Sequence, residues 1–305
     1  MADRKILVVV DPRSEEQPAA ERAAWLAEHL SASLELFICD YDPDIEVGRV
    51  STVWIDQPAR EHLLSILREK LEAIAAPLRK RGLDVAVDVG WDHPLDDGIV
   101  RKVVACQPWI VAKDTHHHNV LRRTILSNTD WHLIRQCPAP LLLVKPGPVA
   151  EHPKVFAAVD PLHVHDKPAK LDNEIVTFAK TLADGLRGEL HVLHTFSVPA
   201  PSSVPEGAWL AEHAQIAEEV KQDRREAFTE FLAPHAIPDD RAHLVEGAAY
   251  EMLPEITERE GAGIVVMGAV SRSGLDRIFV GSTAERILDR LHCDVLIVKP
   301  GSVAS

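Results

Sequence analysis

The chain has 305 residues, of which 46% are hydrophobic and 5% aromatic, and its formal net charge is −14. This length is typical of about two domains, each with enough apolar residues for a buried core. A protein that holds nucleic acid needs a basic face to displace counterions, so the acidic charge argues against general nucleic-acid binding.

The N-terminal region contains a short apolar run, residues 6–10, which is followed by Asp11 and Pro12. This run is too short for the core of a secretory signal peptide. No other apolar stretch approaches the length that spans a membrane. We therefore expect a cytoplasmic protein without a membrane partner. The four cysteines lack CxxC spacing, which favours buried thiols over a metal or redox site: Cys39, Cys106, Cys137 and Cys293.

Two stretches of the chain repeat each other. The segment "TDWHLIRQCPAPLLLVKPG", from Thr129, matches "TAERILDRLHCDVLIVKPG", from Thr283, and "ILVVVDP" matches "VFAAVDP", which ends on Asp160 and Pro161. A repeat of this length indicates a duplicated domain, not a short-period solenoid. The sequence predicts a first domain over residues 1–147 and a second over residues 154–301, joined by a proline-rich linker.

Strands and helices are predicted to alternate in each half. Short β-branched runs between amphipathic helices indicate an α/β fold with parallel strands, five in each half. In the second half the predicted strands cover residues 155–159, 188–196, 242–247, 264–267 and 294–300, and the helices cover residues 171–186, 208–232, 250–259 and 282–291. The first half follows the same order.

A candidate ligand site lies in the second half. Open parallel sheets bind ligands beyond the carboxyl ends of their strands. Asp160 follows the first strand of this half and Gly268 follows the fourth. Gly281 leaves room for a phosphate, while Ser282 and Thr283 offer N–H groups and hydroxyls at a helix start. The alternative is that Gly281 and Ser282 merely begin a helix.

The repeat, the aspartate after each first strand and the ending "GSTAERIL…CDVLIVKP" resemble the universal stress protein family over nearly the whole chain. The tandem layout is similar to the E-type members of bacteria. The resemblance implies two tandem open parallel five-stranded sheets flanked by helices, a Rossmann-like fold, arranged as an internal pseudo-dimer. It also implies a role in surviving stress.

Family members that bind ATP share the loop pattern Gly-x2-Gly-x9-Gly-[Ser/Thr]. In this chain Gly268, Ser271, Gly281 and Ser282 hold its positions, so a serine replaces the second glycine. The resemblance places Asp160 near the adenosine. It implies ATP, accompanied by Mg²⁺, as the cofactor of the second half.

The first half departs from this loop pattern. Asp114, His117 and Ser127 hold the three glycine positions there, although Asp11 is retained. An aspartate beside the expected phosphate is electrostatically adverse. We therefore expect this half to bind no ATP.

Histidines are numerous in this chain, but their spacing is not typical of a metal site. His116, His117 and His118 are consecutive, and His163 and His165 alternate. Zinc sites usually join separated ligands, so polar loop residues are the favoured interpretation and no metal site is expected.

Apolar residues follow the second strand of each half, around Trp54 and around Trp209. They could line a pocket for a small hydrophobic ligand. Packing of one half against the other is the favoured interpretation.

The sequence contains neither a nucleophile elbow nor a Walker lysine. Three hypotheses remain. The first is a stress protein that binds an adenine nucleotide in its second half and thereby changes its contacts with a protein partner or a second copy. The second is a nucleotide-free protein of the same fold that binds a hydrophobic ligand or a protein partner. The third is a weak ATPase that uses Asp160 with a metal ion.

Overall fold

The computed structural model describes residues 4–46, 57–118, 123–148, 150–162, 169–198, 209–269 and 282–302. The first half contains strands β1 (Lys5–Val9), β2 (Ser33–Asp40), β3 (Val85–Trp91), β4 (Ile110–Asp114), β5 (His116–His118), β6 (Arg123–Ile125) and β7 (Leu141–Val144). Its helices are α1 (Pro18–Leu30), α2 (Pro43–Glu46), α3 (Gln57–Lys80), α4 (Leu95–Cys106) and α5 (Asn128–Gln136).

The second half repeats this order among its described residues, without described counterparts of α2, β5 and β6. Its strands are β8 (Lys154–Ala158), β9 (Glu189–Phe196), β10 (Ala242–Glu246), β11 (Ala262–Gly268) and β12 (Asp294–Val298). Its helices are α6 (Ala169–Gly185), α7 (Trp209–Leu232), α8 (Ala249–Glu260) and α9 (Ser282–Leu288). The predicted alternation of strands and helices is confirmed, and the predicted bounds differ from these by a few residues.

The two predicted five-stranded sheets are halves of one sheet. Its strand order is β10-β9-β8-β11-β12-β7-β4-β1-β2-β3. All neighbours are parallel except β12 and β7, which pair antiparallel and join the halves. The antiparallel pairing of β12 with β7 is what a rotation of one half relative to the other produces. It agrees with the predicted internal pseudo-dimer.

The sheet is covered on both faces, as expected for parallel strands with apolar side chains on both sides. One core contains buried residues of α1, α3, α6 and α7. The other contains buried residues of α4, α5, α8 and α9. In the central strands, residues alternate between the two cores, so these strands contribute to both.

One prediction about local structure was wrong. Residues 116–118 were expected in a polar loop, but they form β5, which pairs antiparallel with β6 in a separate two-stranded ribbon. Among the described residues, no helix is both long enough and apolar enough to cross a membrane.

Helices α1 and α6 add to the contact between the halves. Trp109, just before β4, stacks on Phe178 of α6 with ring centroids 5.1 Å apart. Gly185 allows α6 to approach α1, because an added Cβ would lie 2.1 Å from the Cδ2 atom of Leu30. The repeat is therefore built as one body with a continuous core.

Two equivalent lysines cross between the halves. Lys145 follows β7 and donates to the carbonyl of Leu288, at the end of α9, over 3.1 Å. Lys299 follows β12 and donates to the carbonyls of Leu133 and Cys137, at the end of α5, over 3.4 and 2.5 Å. Each ammonium therefore meets the negative end of a helix in the other half.

Burial lowers the pKa of both lysines to about 8, while unfolded lysines keep their ordinary pKa of about 10.4. The unfolded chain then binds more protons between about pH 8 and 10, so these lysines raise the free energy of unfolding as pH rises through that window. We expect wild type to gain on the order of 2 kcal/mol relative to Lys299→Met between pH 7.5 and 10.

Urea denaturation of both proteins at a series of pH values measures this difference. Burial raises the pKa values of the four thiols, so the thiols lower the free energy of unfolding as pH rises. Both proteins contain these thiols, so their contribution cancels in the comparison. Parallel pH profiles for the two proteins would show that Lys299 titrates normally.

Candidate functional site

The candidate site lies where the strand order of the second half reverses. The chain continues from β8 to β9 on one side, and β11 flanks β8 on the other side. The parallel register pairs Met267 of β11 with Ala158 of β8. Gly268 ends β11, and Asp160 lies just beyond β8, half-exposed. The structure thus brings these two predicted residues to the carboxyl ends of adjacent strands, at the switch point of an open parallel sheet.

The other predicted residues are less completely described. Ser282 and Thr283 are the first two residues of α9. Their side chains lie outside the described part of the chain, as do Ser271 and Gly281 entirely. Whether the loop holds a phosphate therefore stays a prediction.

Gly268 has a packing role in addition to the predicted one. A Cβ atom at this position would lie 2.8 Å from Cδ2 of Leu171 and 3.1 Å from Cδ1 of Ile175. Both neighbours belong to α6, whose first turns cross the end of β11. The missing side chain therefore lets α6 approach the strand.

Helix α6 begins earlier than its counterpart α1, with 17 residues against 13. Both helices are followed by a left-handed residue, Ser31 and Arg187, so the additional residues lie at the N-terminus. They carry Asp172, whose side chain is fully buried. Its Oδ1 atom accepts a hydrogen bond from the backbone N–H of Asp160 over 3.1 Å.

His194 of β9 approaches the same segment from the neighbouring strand. Its Nδ1 atom lies 3.0 Å from the carbonyl oxygen of Val159. Because a carbonyl only accepts, Nδ1 carries the proton. The residue is 4% exposed, and burial lowers the pKa of its imidazole although the Asp160 and Asp172 carboxylates act in the opposite direction.

In the first half, charged side chains of the protein occupy the equivalent position. Asp114 replaces Gly268, and its Oδ1 atom accepts from the N–H of Ala19, in the first turn of α1, over 2.5 Å. Lys113 pairs with the buried Asp130 of α5 over 2.7 Å. Asp130 also forms a capping box with Ser127 at the start of α5. The N–H groups of Ser127 and Asp130 at the start of α5 therefore already have side-chain partners.

The described residues include one group with the composition of a metal site: Asp96, Asp97 and His132. His132 Nδ1 lies 2.9 Å from Asp96, and Nε2 lies 3.2 Å from Asp97. Both ring nitrogens face carboxylates of the same group, which favours a network of internal contacts over a metal site. The side chains of residues 116–118 and all of His163 and His165 lie outside the described part of the chain.

A groove of about 630 Å³ separates α7 from the edge strand β10. Its apolar lining includes Phe196, Phe228, Leu232, Ile237 and Leu244, and the Lys221–Glu246 ion pair, at 2.9 Å, lies on its rim. Trp54 and the side chain of Trp209, which the sequence analysis singled out, lie outside the described part of the chain.

Sequence reasoning missed Asp172 and His194, although both left a signal. Asp172 shares helical spacing with the buried residues Ile175, Val176 and Ala179, and a polar residue in an apolar stripe is unusual. His194 alternates with Leu190 and Val192 on one face of β9. Their joint target, the segment before Asp160, is visible only in the folded chain.

Comparison with known proteins finds the family model described as the universal stress protein family, which matches residues 3–145 and 159–299. Universal stress protein E of Salmonella typhi is 28% identical over 298 residues, covering 97% of this chain and 94% of the relative. Its counterpart in Escherichia coli K12 is 27% identical with the same coverage.

Solved structures agree with this assignment. A functionally unknown protein from Pseudomonas aeruginosa PAO1 superposes with a TM-score of 0.75 and 28% identity, covering 99% of this chain and 94% of that protein. A universal stress protein from Archaeoglobus fulgidus gives a TM-score of 0.64 at 17% identity, covering 99% and 100%, and shows likeness of fold alone.

Proposed function

The chain belongs to the universal stress protein family, and from this premise we propose that its second half binds an adenine nucleotide, ATP with Mg²⁺. Family membership is consistent with a role in the stress response. In the proposal, Asp160 contacts the adenosine end of the nucleotide. The loop from Gly268 through Ser271 to Gly281, together with Ser282 and Thr283, holds the phosphates.

The single observation that supports the proposal most is the meeting of Asp160 and Gly268 at the switch point between β8 and β11. Ligands of open parallel sheets lie in the crevice outside this point. A carboxylate there suits ribose hydroxyls, and the start of α9 at Ser282 offers N–H groups to an anion. Mg²⁺ would arrive with the phosphates, as it usually does in proteins.

The first half provides an internal contrast. Its equivalent crevice contains Asp114 on the start of α1 and the Lys113–Asp130 pair. In the second half, Gly268, Met267 and Ala284 hold these positions and carry no charge. The comparison supports one nucleotide site in each chain.

The proposal predicts a clear result in calorimetric titration of nucleotide-free protein with ATP, with and without Mg²⁺. We expect one site per chain with micromolar affinity. Asp160→Ala should weaken binding at least tenfold, because it removes the polar contact to the adenosine. Asp11→Ala changes the equivalent residue of the first half and is the matched control, for which we expect unchanged affinity.

Three outcomes would count against the proposal: no heat with wild type, two sites per chain, or equal affinity in Asp160→Ala. Phosphate release measured on the same proteins tests the weak ATPase hypothesis, which requires turnover that depends on Asp160.

The groove between α7 and β10 favours a second candidate function, the binding of a small hydrophobic ligand. Its volume of about 630 Å³ falls in the usual range for ligand pockets. Phe228→Asp, in the lining of the groove, should abolish uptake of an apolar fluorescent probe if this candidate is correct. Unchanged probe binding would exclude the groove as the ligand site.

A further inference from the structure

Two buried side chains hold one peptide unit of the candidate site at both of its ends. The carbonyl of Val159 and the N–H of Asp160 belong to the same peptide bond. His194 donates from Nδ1 to that carbonyl over 3.0 Å. Asp172 accepts from that N–H over 3.1 Å. The plane of this peptide is therefore fixed immediately before Asp160.

The two clamping side chains come from different elements and are shielded from water. Asp172 is 0% exposed on α6, and His194 is 4% exposed on β9. Hydrogen bonds in such surroundings are stronger than at the surface, and leaving either peptide group unpaired there is costly. The backbone direction that sets the Asp160 side chain is thus held more firmly than strand pairing alone would hold it.

Among its described residues the first half lacks this arrangement, although its strands follow the same course. The N–H of Val10 bonds the carbonyl of Phe37, as the N–H of Val159 bonds that of Leu193. The register places Ile38 at the position equivalent to His194, and α1 lacks the N-terminal turn that carries Asp172. The clamp therefore occurs in the half that we propose to bind nucleotide.

We propose that Asp172 and His194 are positioning residues of the second-half nucleotide site, which orient Asp160 toward the ligand before it binds. The proposal rests on the proposed function of this site. A pre-organised carboxylate loses less conformational freedom on binding, so the clamp contributes to affinity without touching the nucleotide. The additional turn of α6 and the glycine that admits it, Gly268, then serve the same site.

The chemistry of the clamp allows matched variants. Asp172→Asn keeps an oxygen that can accept from the Asp160 N–H, whereas Asp172→Ala removes the acceptor. His194→Asn can place an amide N–H close to the position of Nδ1, whereas His194→Gln places its amide closer to Nε2. Each pair compares a retained hydrogen bond with a lost one, and the two His194 variants also have the same amide group.

We expect Asp172→Ala and His194→Gln to weaken ATP binding at least tenfold in calorimetry, while Asp172→Asn and His194→Asn stay within about threefold of wild type. Thermal unfolding of all four variants identifies any loss of ATP affinity that arises only from global instability. Equal affinity across the four variants, or equal losses within each pair, would overturn the proposal.

Hydrogen exchange of the Asp160 amide separates this inference from the proposed function. Exchange should accelerate in Asp172→Ala and remain slow in Asp172→Asn, with or without nucleotide. If wild type binds no ATP, the proposed function fails, and protected exchange would show a clamp that serves structure only. If wild type binds ATP, but these substitutions change neither the exchange of the Asp160 amide nor the affinity for ATP, only the positioning role fails.

Discussion

The Asp294→Asn variant is expected to lose about 3 kcal/mol of unfolding free energy, the lower end of the usual cost of removing one partner from a buried ion pair. Asp294 begins β12 in the second half, and Arg22 belongs to α1 in the first half. The two side chains form a buried ion pair. The variant leaves the guanidinium of Arg22 without a counter-charge, and arginine cannot neutralise itself by losing its proton.

Further contacts make this site sensitive. The other carboxylate oxygen of Asp294 accepts from the N–H of Lys145 over 2.9 Å. Arg22 also donates to the carbonyl of Gly147 over 3.1 Å. Burial raises the pKa of Asp294 to about 6 even though Arg22 favours its ionised form. The pair therefore persists at neutral pH but has a large desolvation cost.

A double-mutant cycle distinguishes charge from packing. Arg22→Met combined with Asp294→Asn removes both charges of the pair and keeps an oxygen for the N–H of Lys145. We expect the double variant to be more stable than Asp294→Asn alone, which additive effects cannot produce. Urea denaturation measures all four proteins, and removal of the exposed Lys180–Asp184 pair of α6 is the control that should leave the midpoint unchanged. A loss below about 1 kcal/mol in Asp294→Asn would mean that water reaches the pair.

The local order of this fold was predictable from sequence because its signals are local. The short apolar run of residues 264–267 predicts a strand, and apolar residues at helical spacing predict α6. The position of Asp160 and Gly268 followed from the rule that ligands meet the carboxyl ends of parallel strands. These inferences needed only the order of elements along the chain.

Contacts between distant segments were not predictable in the same way. Arg22 and Asp294 are 272 positions apart, and neither residue differs locally from a surface charge. The antiparallel pairing of β7 with β12, which turns two sheets into one, depends on how the halves meet. Asp114 was expected to repel phosphate, but its bond to the N–H of Ala19 exists only after α1 and β4 fold together.

Gly268→Asp is expected to weaken ATP binding at least hundredfold, a change of about 2.7 kcal/mol. The substitution transfers to the second half the residue that the first half carries as Asp114. A carboxylate at the end of β11 would repel the phosphates of a nucleotide bound at the switch point.

Gly268→Ala separates the charge from the added volume. Its Cβ atom meets the same two methyl groups, 2.8 Å from Leu171 Cδ2 and 3.1 Å from Ile175 Cδ1. Both are ends of flexible side chains that can shift by a few tenths of an ångström. We expect the alanine variant to lose less than tenfold in affinity, so the difference between the two variants reports the charge. Comparable losses in both would assign the effect to displacement of α6.

The reverse substitution, Asp114→Gly in the first half, is not expected to create a second ATP site. Asp114→Gly frees the N–H of Ala19, but the Lys113–Asp130 pair still lies at the start of α5. Asp114→Gly also does not create the clamp on the peptide before Asp11. Titration of Asp114→Gly should therefore still give one site per chain. A second site in this variant would show that Asp114 alone prevents ATP binding in the first half. The Lys113–Asp130 pair and the missing clamp would then not matter for binding.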